Sequence, residues 1–413
     1  MELIVKLKQH TPIIHFQWEQ KGATLRATEL KPKLDAFLRH KNIEVLKKHF
    51  KDKDNLPYKV RINNSPEQPI EIEEEYTARN GKTKKRLFPS FFGNIGETAE
   101  KRFAFSTKIE VKFLSFYPEI IGAIAQNLSE FFFKTNFGTR QSKGFGSFYI
   151  DPSDACFRDP LSFKGYYIFT VQTNETEFYK KYKKLFGDID LFYKTLRSGI
   201  NLKDRNGNTL FYFKSLMFLY AKQQNWTWDK KVIKSNFIDP PVLNKQKKAH
   251  NNCDLLIFSG SKEYLVRDLL GVATSQAYMS ERFELQYDEQ NEIQRFKSPI
   301  TFKPIETTTM RQFKVYLITS PLPNDIFDKD FTIHKVIEEK IKGNRAKTRV
   351  CFITLKTPPL TNPVDIDIDK YLRFALSIDI DKHVDSNFHS HEYFKIIKQI
   401  YSELKESAKN VRK

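Results

Sequence analysis

Apolar and polar residues alternate in two stretches of the first 155 residues, and this spacing is typical of β-strands with one buried face. The two stretches are residues 3–14 and 103–113. In residues 28–50 and 118–133, apolar side chains instead recur at every third or fourth position, which predicts helices. Strands and helices therefore follow one another in this part of the chain.

A polar stretch, residues 55–86, follows the first predicted helix. It contains an acidic run, residues 71–75, and a basic run, residues 82–86, with Asn80 and Gly81 between them. Asn-Gly favours the tight turn of a β-hairpin. We therefore expect a protruding hairpin or insertion here.

A glycine-rich loop, residues 137–147, connects the second predicted helix to a short strand that ends near residue 150. The order of elements is then strand, helix, two paired strands, helix and strand. This is the βαββαβ order of a ferredoxin-like (RRM-like) domain. The sequence thus predicts such a domain in residues 1–155, with residues 55–86 as its insertion.

The remaining residues, 156–413, show a second mixture of strand and helix patterns. Strands are predicted near residues 166–173, 300–305, 313–319 and 348–355, and helices over 177–196, 209–223 and 392–408. The pattern is unreadable over roughly residues 225–295. We predict an α+β protein with two ferredoxin-like domains, the second with helical insertions over about residues 177–290.

The charge adds a functional hypothesis. The 413-residue chain has 69 Lys and Arg against 50 Asp and Glu, a net charge of +19, which favours a polyanionic partner such as nucleic acid. A generally lysine-rich proteome is the alternative explanation. Three dispersed cysteines, no signal-peptide pattern and no uncharged apolar run of about 20 residues predict a cytoplasmic protein without membrane contact.

The glycine-rich loop is the most informative motif. It places Arg140 and Lys143 between Gly138, Gly144 and Gly146. Glycines allow backbone N–H groups to approach an anion, and the two cations neutralise its charge, so the loop suits phosphodiester oxygens. No Gly-Lys-Ser/Thr ends it, which disfavours a Walker A loop. A tight helix-to-strand turn without a ligand is the alternative.

In position and composition this loop resembles the G-rich loop of RAMP proteins, which precedes the last strand of a ferredoxin-like domain. Residues 11–14, Thr-Pro-Ile-Ile, and residues 25–33, Leu-Arg-Ala-Thr-Glu-Leu-Lys-Pro-Lys, resemble the first strand and the basic start of the first helix in that superfamily. The loop's spelling is most similar to that of the type III-B CRISPR (Cmr-type) subunit one family, which caps the spacer-pairing end of the guide RNA. Residues 295–304 resemble the Ser-Pro strand of those proteins.

This resemblance implies a non-catalytic subunit of an antiviral ribonucleoprotein. Its partners would be guide RNA, target RNA and other RAMP subunits, with no cofactor and no metal. The predicted RNA-binding residues are Gly138, Thr139, Arg140, Lys143, Gly144, Gly146, Arg26, Lys31, Lys33, Lys84, Lys85 and Arg86.

Two other functions stay open from the sequence. RAMP relatives include guide-processing endoribonucleases that need no metal, and His15 is the candidate acid or base for such a reaction. An assembly subunit whose loop is only a structural turn is the second alternative. About 265 residues follow the loop, whereas processing enzymes carry theirs near the C-terminus, so this placement argues against the first alternative.

Three further motifs have a structural and a functional interpretation. Trp226 and Trp228, beside lysines, are candidates for stacking on bases, although tryptophans in the core or on an exposed strand are commoner. The alternating Asp and Ile of residues 365–369 and 379–381 predict a half-buried strand with an acidic outer face. Residues 389–392, His-Ser-His-Glu, are interpreted as a solvated helix start and not as metal ligands.

Overall fold

The computed structural model divides the chain into two compact units. The first comprises Met1–Ile189, Thr301–Ile318 and Glu406–Lys413, and the second comprises Asp190–Ile300 and Thr319–Lys405. The residues described are 1–14, 24–50, 55–64, 73–77, 82–87, 103–204, 206–238, 258–272, 275–278, 283–307, 311–341, 345–361 and 366–411.

The first unit contains most of the elements of the N-terminal half. Its strands are β1 (Glu2–Gln9), β2 (Ile13–Ile14), β3 (Lys59–Asn64), β4 (Glu73–Thr77), β5 (Thr83–Leu87), β6 (Phe103–Ala104), β7 (Ile109–Leu114), β8 (Phe148–Ile150) and β9 (Tyr166–Gln172). Its helices are α1 (Ala27–His40), α2 (Glu44–Phe50), α3 (Pro118–Lys134) and the first part of α4 (Phe178–Arg197). The later strands β16 (Ile300–Glu306) and β17 (Gln312–Thr319) belong to it for most of their length.

Four strands of this unit form one antiparallel sheet in the order β3-β7-β1-β8. Val5, Val111 and Phe113 point to one face, where α1 and α3 cover them. The helices supply matching apolar residues: Leu30, Leu34 and Leu38 of α1 recur at four-residue spacing and are fully buried. A single core thus lies between the sheet and the two helices. The opposite face of the sheet carries mostly charged residues.

The insertion predicted for residues 55–86 begins only after Asn64, because the residues before it belong to the main sheet. Lys59–Asn64 pairs with Ile109–Leu114 and forms an edge of the main sheet. The hairpin itself is β4 paired with β5, which places Glu75 opposite Lys85. The acidic and basic runs thus face each other across this hairpin.

The compact units do not follow the boundary expected after residue 155. Strand β9 pairs antiparallel with β17, and β16 lies on the other side of β17. Tyr316 and Ile318 of β17 are buried in the core of the first unit. This three-stranded sheet therefore belongs to the first unit, although its strands come from distant parts of the sequence.

The second unit is also a mixture of helices and antiparallel strands. Its strands are β10 (Ile200–Lys203), β11 (Thr209–Phe213), β12 (Trp226–Thr227), β13 (Lys262–Glu263), β14 (Ser275–Tyr278), β15 (Phe283–Tyr287), β18 (Asp330–Ile341) and β19 (Arg345–Lys356). Its helices are the end of α4, α5 (Leu216–Gln223), α6 (Asp229–Phe237), α7 (Ile368–Ser377), α8 (Ile380–His383) and most of α9 (Glu392–Val411). The α+β class is thereby confirmed.

The strands predicted for a second ferredoxin-like domain are divided between two sheets. Strands β9, β16 and β17 share one sheet, whereas β19 is the last strand of the order β14-β15-β18-β19. Within the described residues, no single sheet contains all four.

Two local predictions in the second unit are wrong. The helix expected over residues 209–223 is a strand followed by the shorter helix α5, because a turn held by the Asp204 carboxylate pairs β10 with β11. The acidic strand expected around Asp367 and Asp379 is absent from the described residues. Both side chains instead accept hydrogen bonds from the first amides of α7 and α8 and cap these helices.

Candidate nucleic-acid interface

The glycine-rich loop connects α3 to β8 and is fixed at both ends by aromatic rings. Phe137 is fully buried in the core and packs against Phe131 and Phe148. Phe145 is 1% exposed and stacks on Phe186, with 3.7 Å between the ring centroids. Residues 139–143 between these anchors are half-buried. We call these five residues the tip.

The three glycines of the loop adopt left-handed backbone conformations, with φ of 78° at Gly138, 90° at Gly144 and 64° at Gly146. At Gly146 a Cβ atom would lie 1.9 Å from the Phe137 carbonyl oxygen, so the contact between these two backbones also excludes a side chain. The glycines are therefore required by backbone geometry and by packing.

The backbone N–H groups of these glycines donate hydrogen bonds to other groups of the protein. Each is within hydrogen-bond distance of an internal acceptor: Gly138 donates to Glu29 Oε1 at 2.9 Å, Gly144 to the Gln141 carbonyl at 3.2 Å and Gly146 to the Pro12 carbonyl at 2.8 Å. The expected donation of these three N–H groups to phosphates is therefore corrected. They hold the loop in shape.

The segment at the end of β1 supports the loop from one side. Thr11 Oγ1 donates to the Gly144 carbonyl at 2.7 Å and accepts from the Ser147 amide at 2.8 Å. Ser147 Oγ donates to the Pro304 carbonyl at 2.7 Å. The four residues that these three hydrogen bonds join are all buried, so water does not compete for the bonds.

Helix α1 supports the loop from the other side. Lys33 Nζ lies 2.6 Å from Glu29 Oε1, 3.0 Å from the Asn136 carbonyl and 3.0 Å from Gln141 Oε1. Burial lowers the pKa of Lys33, although the Glu29 carboxylate opposes this shift. Lys31 Nζ is likewise bound, to Asp35. These two ammonium groups stabilise the fold, and their predicted contact with RNA stays a prediction.

Lys303 of β16 joins the two ends of the loop. It is fully buried, and its Nζ donates to the Thr135 carbonyl at 2.9 Å, Asn136 Oδ1 at 3.1 Å and the Phe148 carbonyl at 2.8 Å. Burial, with a smaller effect of the nearby Lys33 charge, holds the pKa of Lys303 well below its usual range. The three acceptors satisfy the three N–H bonds of the ammonium group, which makes this burial possible.

His10 lies beside the base of the loop, where its amide donates to the Ser147 carbonyl at 2.8 Å. Its Nδ1 accepts from the Glu306 amide at 3.0 Å. Burial holds the pKa of His10 well below its usual value, and the positive charges of Lys8, Lys303 and Lys181 act in the same direction. The folded protein therefore contains the neutral imidazole.

A pH-dependent stability follows from this buried histidine. Its pKa is lower in the folded chain than the value of 6.5 expected in the unfolded one, so unfolding takes up a proton between these two values. The free energy of unfolding should fall as the pH decreases below about 6.5, with a contribution from His10 of up to about 1.4 kcal/mol per pH unit. In His10→Asn, the amide oxygen replaces Nδ1 as the acceptor. Denaturant titrations at several pH values between about pH 5 and pH 7 should then show that the free energy of unfolding depends less steeply on pH than in the unaltered protein. The same dependence on pH in both proteins would contradict this prediction.

The tip has a distinctive backbone. Arg140 is left-handed, with φ of 54° and ψ of 33°, and it is followed by a single 3-10 turn, Gln141–Lys143. A left-handed residue next to right-handed ones turns successive N–H groups toward the same side, an arrangement that favours anions. Arg140 and Lys143 are both half-buried in this segment. The tip therefore combines two cations with a curved backbone.

The other predicted RNA-binding residues are less well defined. Arg26 is half-buried at the start of α1. Lys84, Lys85 and Arg86 lie in strand β5, and only their backbone is described. The low-ranked catalytic candidate, His15, lies outside the described residues. The roles of these five residues stay predictions.

The remaining motifs have structural roles. Trp226 is 4% and Trp228 is 1% exposed, so their proposed stacking on bases is wrong. His389 stacks on Phe394, with 4.1 Å between the ring centroids. In the described part of the chain, no three His, Cys, Asp or Glu side chains gather into a metal-binding group. Nor does any helix there have the length and apolar character needed to span a membrane.

Several residues that build this site were not predicted from the sequence. Glu29, Asn136, Gln141 and Lys303 hold the loop, yet none carries a recognisable motif by itself. The surrounding segments did give a signal: residues 11–14, 25–33 and 295–304, which resemble RAMP proteins, each contact the loop. Three distant sequence landmarks thus converge on one structural element.

A basic loop supported in this way, in an α+β protein, is consistent with the resemblance to RAMP-type CRISPR effector subunits. Comparison with family models gives the particular family. A model described as the Cmr1 N-terminal domain matches residues 1–200, and one described as the Cmr1 C-terminal domain matches residues 212–409. The chain belongs to the Cmr1 family and is a subunit of a type III-B CRISPR effector complex. A comparison with curated proteins gave no match.

Proposed function

We propose that this subunit binds the phosphate backbone of guide RNA, or of the guide–target duplex, through the tip of the glycine-rich loop. The observation that supports this proposal most is that a rigid, buried base holds Arg140 and Lys143 in a partly exposed segment. Preorganised cations lose little conformational freedom on binding, so their contacts retain more of their energy. The subunit acts as a binding component, without a catalytic role of its own.

The proposal assigns different tasks to the two parts of the loop. The glycine amides, Thr11, Lys33 and Lys303 form the support. Arg140 and Lys143 neutralise phosphates, while the half-buried Thr139 donates or accepts through its hydroxyl group. Such contacts read backbone shape, and base pairing within the complex supplies the sequence specificity.

The topology of the first unit supports a ferredoxin-like assignment for this domain. The βαββαβ order of its elements and the sheet order β3-β7-β1-β8, with antiparallel neighbours throughout, support this assignment. The loop precedes the last of these strands. We extend the same proposal to a second ferredoxin-like domain built around the three-stranded sheet β16-β17-β9, which belongs to the same compact unit.

The double variant Arg140→Ala, Lys143→Ala tests the RNA contact. We expect its RNA affinity to fall about tenfold or more at about 0.1 M salt, because two phosphate contacts are lost. The slope of log affinity against log salt should fall by roughly 1 to 2. Filter binding of the purified chain to guide RNA, over a series of salt concentrations, measures both quantities.

A matched control removes two positive charges elsewhere in the first unit. Lys47 and Lys48 of α2 are exposed and already pair with Glu44 and Glu119. The variant Lys47→Ala, Lys48→Ala should retain the affinity and the salt slope. If the tip variant also retains both, the loop is only a structural turn, and the subunit serves assembly without this RNA contact.

A further inference from the structure

Three exposed apolar side chains occur at one end of the main sheet of the first unit, two on its open face and one just beyond the end of β7. Phe116, which follows strand β7, is 99% exposed, Ile4 of β1 is 51% exposed and Leu114 of β7 is 37% exposed. Glu2 pairs with Leu114 and Ile4 with Lys112, so Ile4 and Leu114 are diagonal neighbours on the same face. A cluster of this kind is unfavourable in water and typical of a binding surface.

Basic residues border this apolar cluster. By strand register, the open face of β1, β3 and β7 carries five basic and two acidic side chains: Lys6, Lys8, Lys59, Arg61 and Lys112, with Glu2 and Glu110. Lys59 and Arg61 on the edge strand are exposed. The face therefore complements an acidic surface that also offers an apolar pocket.

We propose that this face docks onto another protein subunit of the effector complex, one in which carboxylates surround an apolar pocket that receives Phe116. Aromatic side chains are enriched at the centres of protein interfaces, where they contribute most when a pocket of the partner encloses them. The flanking lysines and arginine then set the orientation and raise the rate of association.

RNA and a second copy of this chain fit the open face of the sheet less well than an acidic protein surface does. An RNA-stacking sheet needs aromatic residues on its central strands, but the open-face positions of β1 and β7 include Ile4, Lys6, Glu110 and Lys112. Lys112 is also neutralised by Glu2, at 2.5 Å. A second copy of the chain would bring two basic faces together and would be repelled.

The variant Phe116→Ser tests the proposal. Each purified partner subunit of the complex, free of RNA, is titrated against the full-length chain by biolayer interferometry. One partner should bind the unaltered chain, and its Kd should rise at least about tenfold with Phe116→Ser. The charge variant Lys59→Glu, Arg61→Glu should weaken the same interaction, more strongly at low salt. Since Phe116 is exposed, thermal unfolding should be unchanged.

Val45→Ser serves as the matched control, because Val45 is an exposed apolar residue (52%) of helix α2. It should retain the Kd. The proposal is overturned if no partner subunit binds, or if Phe116→Ser binds as tightly as the unaltered chain. It is also overturned if Phe116→Ser lowers the RNA affinity of the isolated chain or abolishes a self-association. The RNA affinity of the Arg140→Ala, Lys143→Ala variant tests only the proposed function, so its outcome does not affect the proposal for this face.

Discussion

Replacing Gly146 with alanine is expected to lower the free energy of unfolding by about 3 kcal/mol or more. The added Cβ would lie 1.9 Å from the Phe137 carbonyl oxygen, and this oxygen belongs to the backbone, which cannot rotate away. The residue also has a φ of 64°, which costs a side chain about 1 kcal/mol or more. Equilibrium denaturation of the purified protein measures the change.

Gly122→Ala is the matched control for this substitution. Gly122 lies within helix α3, where an added Cβ has no neighbour within 4 Å. Alanine there should stabilise the protein by up to about 1 kcal/mol because of its higher helix propensity. A Gly146→Ala protein as stable as the parent would show that the loop backbone is not held as described.

Replacing Lys303 with methionine is expected to destabilise the protein by about 3 kcal/mol. The methionine fills a similar volume but donates no hydrogen bond, so the oxygens of Thr135, Asn136 and Phe148 lose a buried donor. The cost of burying an ammonium group disappears at the same time, which limits the net loss. Denaturant titration of the variant measures it.

The same substitution should also weaken RNA binding, because Lys303 connects the two ends of the loop that carries the tip. The control is Lys164→Met, a change at an exposed lysine, which should alter stability by less than about 0.5 kcal/mol. If Lys303→Met is as stable as the control, the buried ammonium contributes nothing to the support of the loop.

Local patterns predicted much of the first unit. Alternation placed strands near β1 and β7, and helical spacing placed α1 and α3, because each of these elements has one face in the core. The predicted strand over residues 103–113 proved to be two strands, Phe103–Ala104 and Ile109–Leu114. Residues between them interrupt the pairing, which alternation alone does not reveal.

Elements stabilised by distant contacts were not predictable. Residues 225–295 contain short strands and helix α6, and they depend on pairs such as Arg267 with Asp229, both buried, at 2.7 Å. Such a pair leaves no periodic signal in the sequence. The acidic helix caps at Asp367 and Asp379 were misinterpreted for a related reason, since a capping aspartate beside isoleucine produces the same alternation as a strand.

The sequence singled out the loop but not the contacts that hold it. The three glycines adopt the left-handed conformations that a tight turn requires, and the segments 11–14, 25–33 and 295–304 each contact the loop. Which amides face outward depends on acceptors far away in the chain, such as Glu29, 109 residues from Gly138. The N–H groups of the three glycines therefore support the loop, and the RNA contact that we propose lies at the tip.

Crosslinking in the assembled complex tests the RNA contact most directly. Guide RNA containing 4-thiouridine is assembled with all subunits and irradiated, and the crosslinked peptides of this subunit are identified by mass spectrometry. We predict crosslinks within residues 139–143, lost in the Arg140→Ala, Lys143→Ala variant. Crosslinks found only in other parts of this subunit would contradict the proposed role of the loop.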